Sequence, residues 1–91
     1  KLMSEENNKS GSERRLLKSS AKVREVDVKI GKKGLTQNVI LEIQLVLNRD
    51  KMVKVSFRDE REKRIKLVET IQEKIDSTLI EFVGKTATFA L

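Results

Sequence analysis

Between Val26 and Ile30 apolar and polar residues alternate, with Val26, Val28 and Ile30 set against Asp27 and Lys29. A period of two over this length predicts a strand with one buried face. Upstream, Ser10-Gly11-Ser12-Glu13 fits a helix-capping box, with Ser12 as an alternative cap. The helix that follows draws its buried stripe from Leu16, Leu17 and Ala21. Downstream, Thr36 can cap a second helix running to about Asn48, with Val39, Ile40, Ile43, Val46 and Leu47 on one broad face. Leu41 and Leu45 form a second apolar ridge on another side, and a helix apolar on several sides is normally covered on more than one.

Alternation returns in Met52-Val53-Lys54-Val55-Ser56-Phe57, a second strand with Val53, Val55 and Phe57 inward and Lys54 and Arg58 outward. Asp59-Glu60-Arg61-Glu62 offers another capping box, and Ile65, Leu67, Val68, Ile71 and Ile75 supply the buried side of a third helix. Gly84-Lys85 suits a two-residue type II′ turn between strands at about 78–83 and 86–90. The predicted order is helix, strand, helix, strand, helix, strand, strand. This is an α+β fold with three helices on one four-stranded mixed sheet. A polar tail over residues 1–11 and a single domain over 12–91 are expected, since 91 residues can bury one modest core.

Composition removes whole classes of chemistry. The chain has no Cys and no His, so disulfides, the usual zinc sites, thiol nucleophiles and imidazole acid–base catalysis are excluded. No cofactor, metal site or carboxylate pair for catalysis is identifiable, and the chain is expected not to be an enzyme. No apolar run is long enough to cross a bilayer, and the early Glu residues do not fit an organelle transit peptide. A cytoplasmic protein without membrane association is the expectation.

Charge sharpens this picture through its distribution. Residues 1–34 hold ten Lys/Arg against five Asp/Glu, whereas 59–91 hold six against seven. The first helix carries Arg14, Lys18 and Lys22 at four-residue spacing, which stacks them on one side. No acid falls between Arg14 and Arg24. The turn Gly31-Lys32-Lys33-Gly34 lies where a strand feeds a helix. Its glycines give conformational freedom and close access, its lysines add cations, and free N–H groups at the next helix start favour anions. The combination suits a phosphodiester backbone, as in the GXXG loop of KH domains. It is not a P-loop, because the spacing and the terminal Lys-Ser/Thr are missing. Lys29 and Lys54, outward on their strands, extend the cationic track.

Three stretches together resemble the CRM domain, also called the YhbY-like family. They are Ile30-Gly31-Lys32-Lys33-Gly34-Leu35-Thr36-Gln37-Asn38-Val39-Ile40, Val53-Lys54-Val55 and Val83-Gly84-Lys85-Thr86. Upstream, Glu13-Arg14-Arg15-Leu16-Leu17-Lys18 with Ala21 is similar to that family's first helix. The resemblance covers about residues 12–90. It implies RNA binding, with single-domain bacterial and archaeal members linked to ribosome assembly and plant organellar relatives to group II intron splicing. Carried over, the expected RNA surface is Gly31, Lys32, Lys33 and Gly34 with Arg14, Arg15, Lys18 and Lys22. Family members often have histidines and a proline between the first helix and first strand, where this chain has Lys22, Val23 and Val26. Leu45 stands where polar residues are common and hints at an additional contact surface.

The resulting expectation is a non-catalytic, monomeric protein that binds structured ribosomal RNA precursor and assists assembly of the large subunit. Phe57, Phe82 and Phe89 fall on core or strand positions, so base stacking should contribute little. The alternative is a protein-interaction module, dimerising through Leu41 and Leu45, in which the basic charge serves only solubility.

Overall fold

A computed structural model of the chain describes residues 11–91, with side chains from Arg15 onward. The expected tail lies outside the described residues except for Gly11, and the Ser10 and Ser12 caps and the Arg14 side chain lie outside them too. The elements are α1 (Gly11–Val23), β1 (Val28–Lys29), α2 (Gln37–Asp50), β2 (Met52–Ser56), α3 (Arg61–Lys74), β3 (Thr78–Val83) and β4 (Thr86–Ala90). Their order is the predicted one, and they build one four-stranded sheet in the order β1-β2-β4-β3. β1 runs parallel to β2, while β2–β4 and β3–β4 are antiparallel, so the sheet is mixed. No helix among the described residues is long and apolar enough to cross a membrane.

β1 is shorter than the Val26–Ile30 alternation predicts, but backbone pairing continues beyond it. Asp27 N–H donates to Lys54 O and Ile30 N–H to Ser56 O, each at 2.9 Å. α2 starts as expected, with Thr36 Oγ1 accepting from Val39 N at 3.2 Å. It runs two residues past the predicted end, to a left-handed cap at Lys51 (φ 65°) whose N–H donates to Leu47 O. At the Gly84-Lys85 turn Gly84 has φ +57° and Lys85 is not left-handed, which is the type II′ pattern.

The main core lies on one sheet face. Val28, Ile30, Val53, Val55, Phe57, Ala87 and Phe89 from the strands meet Ile40, Ile43, Val46 and Leu47 of α2 and Val68, Ile71 and Ile75 around α3. β3 joins this face through a bulge at Ile80: Leu79 pairs with Phe89, but Glu81, not Ile80, pairs with Thr88. The extra residue resets the alternation, so Leu79 and Phe82, three apart, both pack on the core. Phe82 meets Phe57 with ring centroids 6.3 Å apart.

α1 covers part of the opposite face. Lys54 points there, its Nζ donating to Ala21 O at 3.1 Å and Arg24 O at 3.0 Å. Thr88, Met52 and Ala90 are buried on this side, outside the main core cluster. Ala21 is buried and Leu17 half-buried, but Leu16, expected in the same stripe, is 69% exposed. Leu17 and Ala21 are one helical turn apart and share a face; Leu16 sits about 100° away.

Two other expectations are corrected. Ile65 is 40% exposed, because the inward arc of α3 is narrow and is filled by Val68 and Ile71, with Leu67 half-buried. The second capping box does not form. Glu60 is the N-cap, without a side-chain cap bond, and Arg64 Nη1 donates to Asp59 O at 2.9 Å. The Leu41/Leu45 ridge stands open, at 52% and 65% exposure, since α2 packs on the sheet with its Ile40/Ile43/Leu47 side only.

Candidate nucleic-acid interface

Because β1 and β2 are parallel, their C-terminal ends open on the same end of the sheet. The Gly31–Gly34 segment leaves β1 there as a tight turn, with Gly34 N–H donating to Gly31 O at 3.0 Å and Thr36 N–H to Gly34 O at 3.1 Å. Lys32 and Lys33 occupy its two central positions, both exposed. Gly34 has φ +73°, a conformation that favours glycine. Gly31 has no such requirement, and a Cβ built on it would meet nothing within 4 Å. Its bare backbone is therefore accessible from outside. The turn leads into α2, whose first turn carries no acid. Thr36 takes the Val39 amide, and helix geometry leaves the amides of Gln37 and Asn38 without an intrahelical acceptor.

Lys29 lies just before the turn, exposed. Alternation sets it on the same sheet face as Asp27 and Lys54, the face that α1 partly covers. Arg15, Lys18 and Lys22 of α1 are also exposed. The C-terminus of α1 is fixed at the other end of β1, where Arg24 binds Asp27 through Nε–Oδ2 (2.7 Å) and Nη2–Oδ1 (3.1 Å). Arg24 Nη2 also reaches Asp50 Oδ2 at the end of α2, at 2.7 Å. The hydrogen bonds of Arg49, then of Arg24, hold the Asp50 carboxyl at about 2, below its ordinary value. The basic turn and the end of α1 are thus separated by the length of β1, about 10 Å from Asp27 to Ile30. Lys29 lies between them.

Lys54, expected on the cationic track, makes its hydrogen bonds within the protein. Its ammonium is spent on the two carbonyls at the end of α1, and it is only half-exposed. It works as a C-terminal cap from another element, the placement the helix dipole favours.

Two cations that the sequence reading left out of the site stand beside the turn. Phe57 N–H donates to Lys85 O at 2.8 Å, which brings the β3–β4 turn against the end of β2. Exposed Lys85 and exposed Arg58 therefore share the sheet end with Lys32 and Lys33. Only strand pairing brings them together, although the outward phase of Arg58 and the turn position of Lys85 were visible in the sequence. The aromatic rings are not available as platforms: Phe57 and Phe89 are buried and Phe82 packs on the core.

Comparison with known proteins supports the same architecture. No curated protein matches the chain by sequence. Among solved structures, the chain is similar to SAV1595 from Staphylococcus aureus, a hypothetical protein described as a candidate for RNA binding. The two share 27% identity with a TM-score of 0.75, over 89% of this chain and 85% of that one. The family model of the CRS1 / YhbY (CRM) domain matches residues 10–90, which include every element from α1 to β4. The chain belongs to the CRS1/YhbY (CRM) domain family.

Proposed function

We propose that this protein is a non-catalytic RNA binder that grips phosphate backbone with the Gly31–Gly34 turn and the basic surface of α1. Its substrate in this reading is structured ribosomal RNA precursor, and its role is to assist assembly of the large ribosomal subunit. The observation that carries the reading is the turn itself: two exposed lysines and accessible glycine backbone above a helix start with no acid in its first turn. Family membership and the RNA-binding description of SAV1595 support it. With its rings in the core, the protein recognises RNA by backbone and shape more than by base stacking. Affinity should be salt-sensitive and weakly sequence-dependent.

The test is fluorescence anisotropy with a labelled RNA stem-loop across a salt series, comparing wild type with Lys32→Ala/Lys33→Ala. Each lost phosphate contact should lower the log–log salt slope by about 0.7–0.9. Unchanged affinity and slope would sink the assignment of the turn. Crosslinking in cells, followed by sequencing of the bound RNA, tests the ribosomal target. A second reading, dimerisation through Leu41 and Leu45, is favoured by their exposure. Sedimentation of wild type and Leu45→Glu decides it.

A further inference from the structure

The geometry points to a second phosphate contact on the hairpin side of the sheet end, made by Arg58 and Lys85 across a low floor formed by Ser56 and Thr86. This inference rests on the RNA-binding reading and extends it to residues on strands β2 and β4.

The sheet face that α1 covers consists of successive cross-strand rows. In one, Met52 pairs with Ala90, and both are buried. In the next, Lys54 pairs with Thr88; Lys54 is held by the end of α1, and Thr88 is buried. Glu81 completes that row, half-buried. The last row is Lys29, Ser56, Thr86 and Val83, paired in register across all four strands. Here burial stops: Lys29 and Val83 are exposed, and Ser56 and Thr86 are half-exposed. α1 leaves this row open.

The side chains of the open row are arranged for a strand of backbone to pass. Ser56 and Thr86 are short, and Thr86 Oγ1 is turned back to donate to Val83 O at 3.0 Å, so neither rises far above the sheet. Cations stand around them. Lys29 is at the β1 edge, and exposed Arg58 follows the end of β2, two residues after Ser56. Lys85 sits in the turn directly before Thr86, its carbonyl fixed by Phe57 N–H. From β1 to β4 is two strand spacings, about 10 Å. Backbone gripped at Lys32 and Lys33 can therefore continue across the row to Lys85 without leaving the protein.

Of the acids near the path, Glu81 stands one row further in, half-buried beside Thr88. Asp59 and Glu60 follow Arg58, but they lead into α3, which packs on the opposite face with Val68 and Ile71 in the main core. Asp27, lower on the α1 face, is already engaged by Arg24. The path is a cationic border around a small, polar floor, which suits phosphates and offers no ring for stacking a base.

The experiment measures binding of a labelled RNA stem-loop carrying a single-stranded 3′ tail, by anisotropy across salt. It compares wild type, Arg58→Ala/Lys85→Ala and a control pair, Lys63→Ala/Lys74→Ala, in exposed positions of α3. Circular dichroism should show the same fold for all three, since the changed side chains are exposed. The expected result is a slope reduced by about 1.4–1.8 for Arg58→Ala/Lys85→Ala, and affinity roughly 15- to 30-fold weaker near 0.15 M salt. The control pair, which removes the same net charge, should change the slope by less than half as much. Equal losses in the two double variants would mean that net charge alone is read, and would overturn the second contact. Wild-type affinity retained by Arg58→Ala/Lys85→Ala would overturn it too, leaving the turn as the grip. Failure of the wild type itself to bind would instead overturn the RNA-binding reading.

Discussion

Lys54→Met separates two roles for one lysine. Methionine keeps most of the stem that lies under α1 and removes only the ammonium. In the folded protein that ammonium donates to Ala21 O and Arg24 O at 3.1 and 3.0 Å. A hydrogen bond involving a charged group contributes about 1.5–3 kcal/mol, and a cation at a helix C-terminus about 0.3–1 kcal/mol. Lys54 is half-exposed, so water can replace part of this on the freed carbonyls. The expected net loss is then about 2 kcal/mol, less than the sum of the separate bonds. For a domain of this size that corresponds to a fall of roughly 10 °C in Tm. Thermal unfolding by circular dichroism reads the stability, and RNA anisotropy at a temperature where both proteins are folded reads the function. The expected outcome is lower Tm with an unchanged salt slope. An unchanged Tm together with a slope lower by about 0.7–0.9 would mean that Lys54 touches phosphate and that the capping account is wrong.

The remaining predictions test the turn, the α1 clamp and the core. Gly31→Ala should leave stability within a few tenths of a kcal/mol, whereas Gly34→Ala, forced to φ +73°, should lose about 1–2 kcal/mol in urea unfolding. If RNA approaches the Gly31 backbone, Gly31→Ala should nonetheless bind more weakly. Because the folded Asp50 carboxyl is depressed to about 2, its pairing with Arg49 and Arg24 stabilises fully above the ordinary carboxylate value and is lost as pH falls through about 2. Asp50→Asn should therefore be less stable than wild type at pH 7, and the difference should shrink between about pH 4 and pH 2 in acid titrations followed by circular dichroism. Phe89→Ala, at a fully buried site on β4, should lose about 3–5 kcal/mol in urea unfolding, a large share of the stability of such a domain.

The chain's local patterns determined the order and type of all seven elements. Alternation marked β1 and β2, Thr36 marked the start of α2, and Gly84-Lys85 set the hairpin to the residue. These features depend on a residue's own neighbours, so they can be read without the fold. The Gly31–Gly34 turn was legible for the same reason, as was its position between a strand and a helix. What covers a face was not legible. Periodicity shows that Leu16 and Ile65 lie near an apolar arc, but only packing leaves them outside it. Strict alternation along Thr78–Val83 would put Leu79 and Phe82 on opposite faces, and the bulge at Ile80 brings them together. Lys54 looks like a free surface cation until α1 returns, some thirty residues away in sequence, to place its last carbonyls over it. Arg58 and Lys85 come together through the pairing of β2 with β4, a long-range contact that neither local sequence encodes. Local spacing thus supplied the basic turn, and the parallel and antiparallel strand pairs decided which other cations stand beside it.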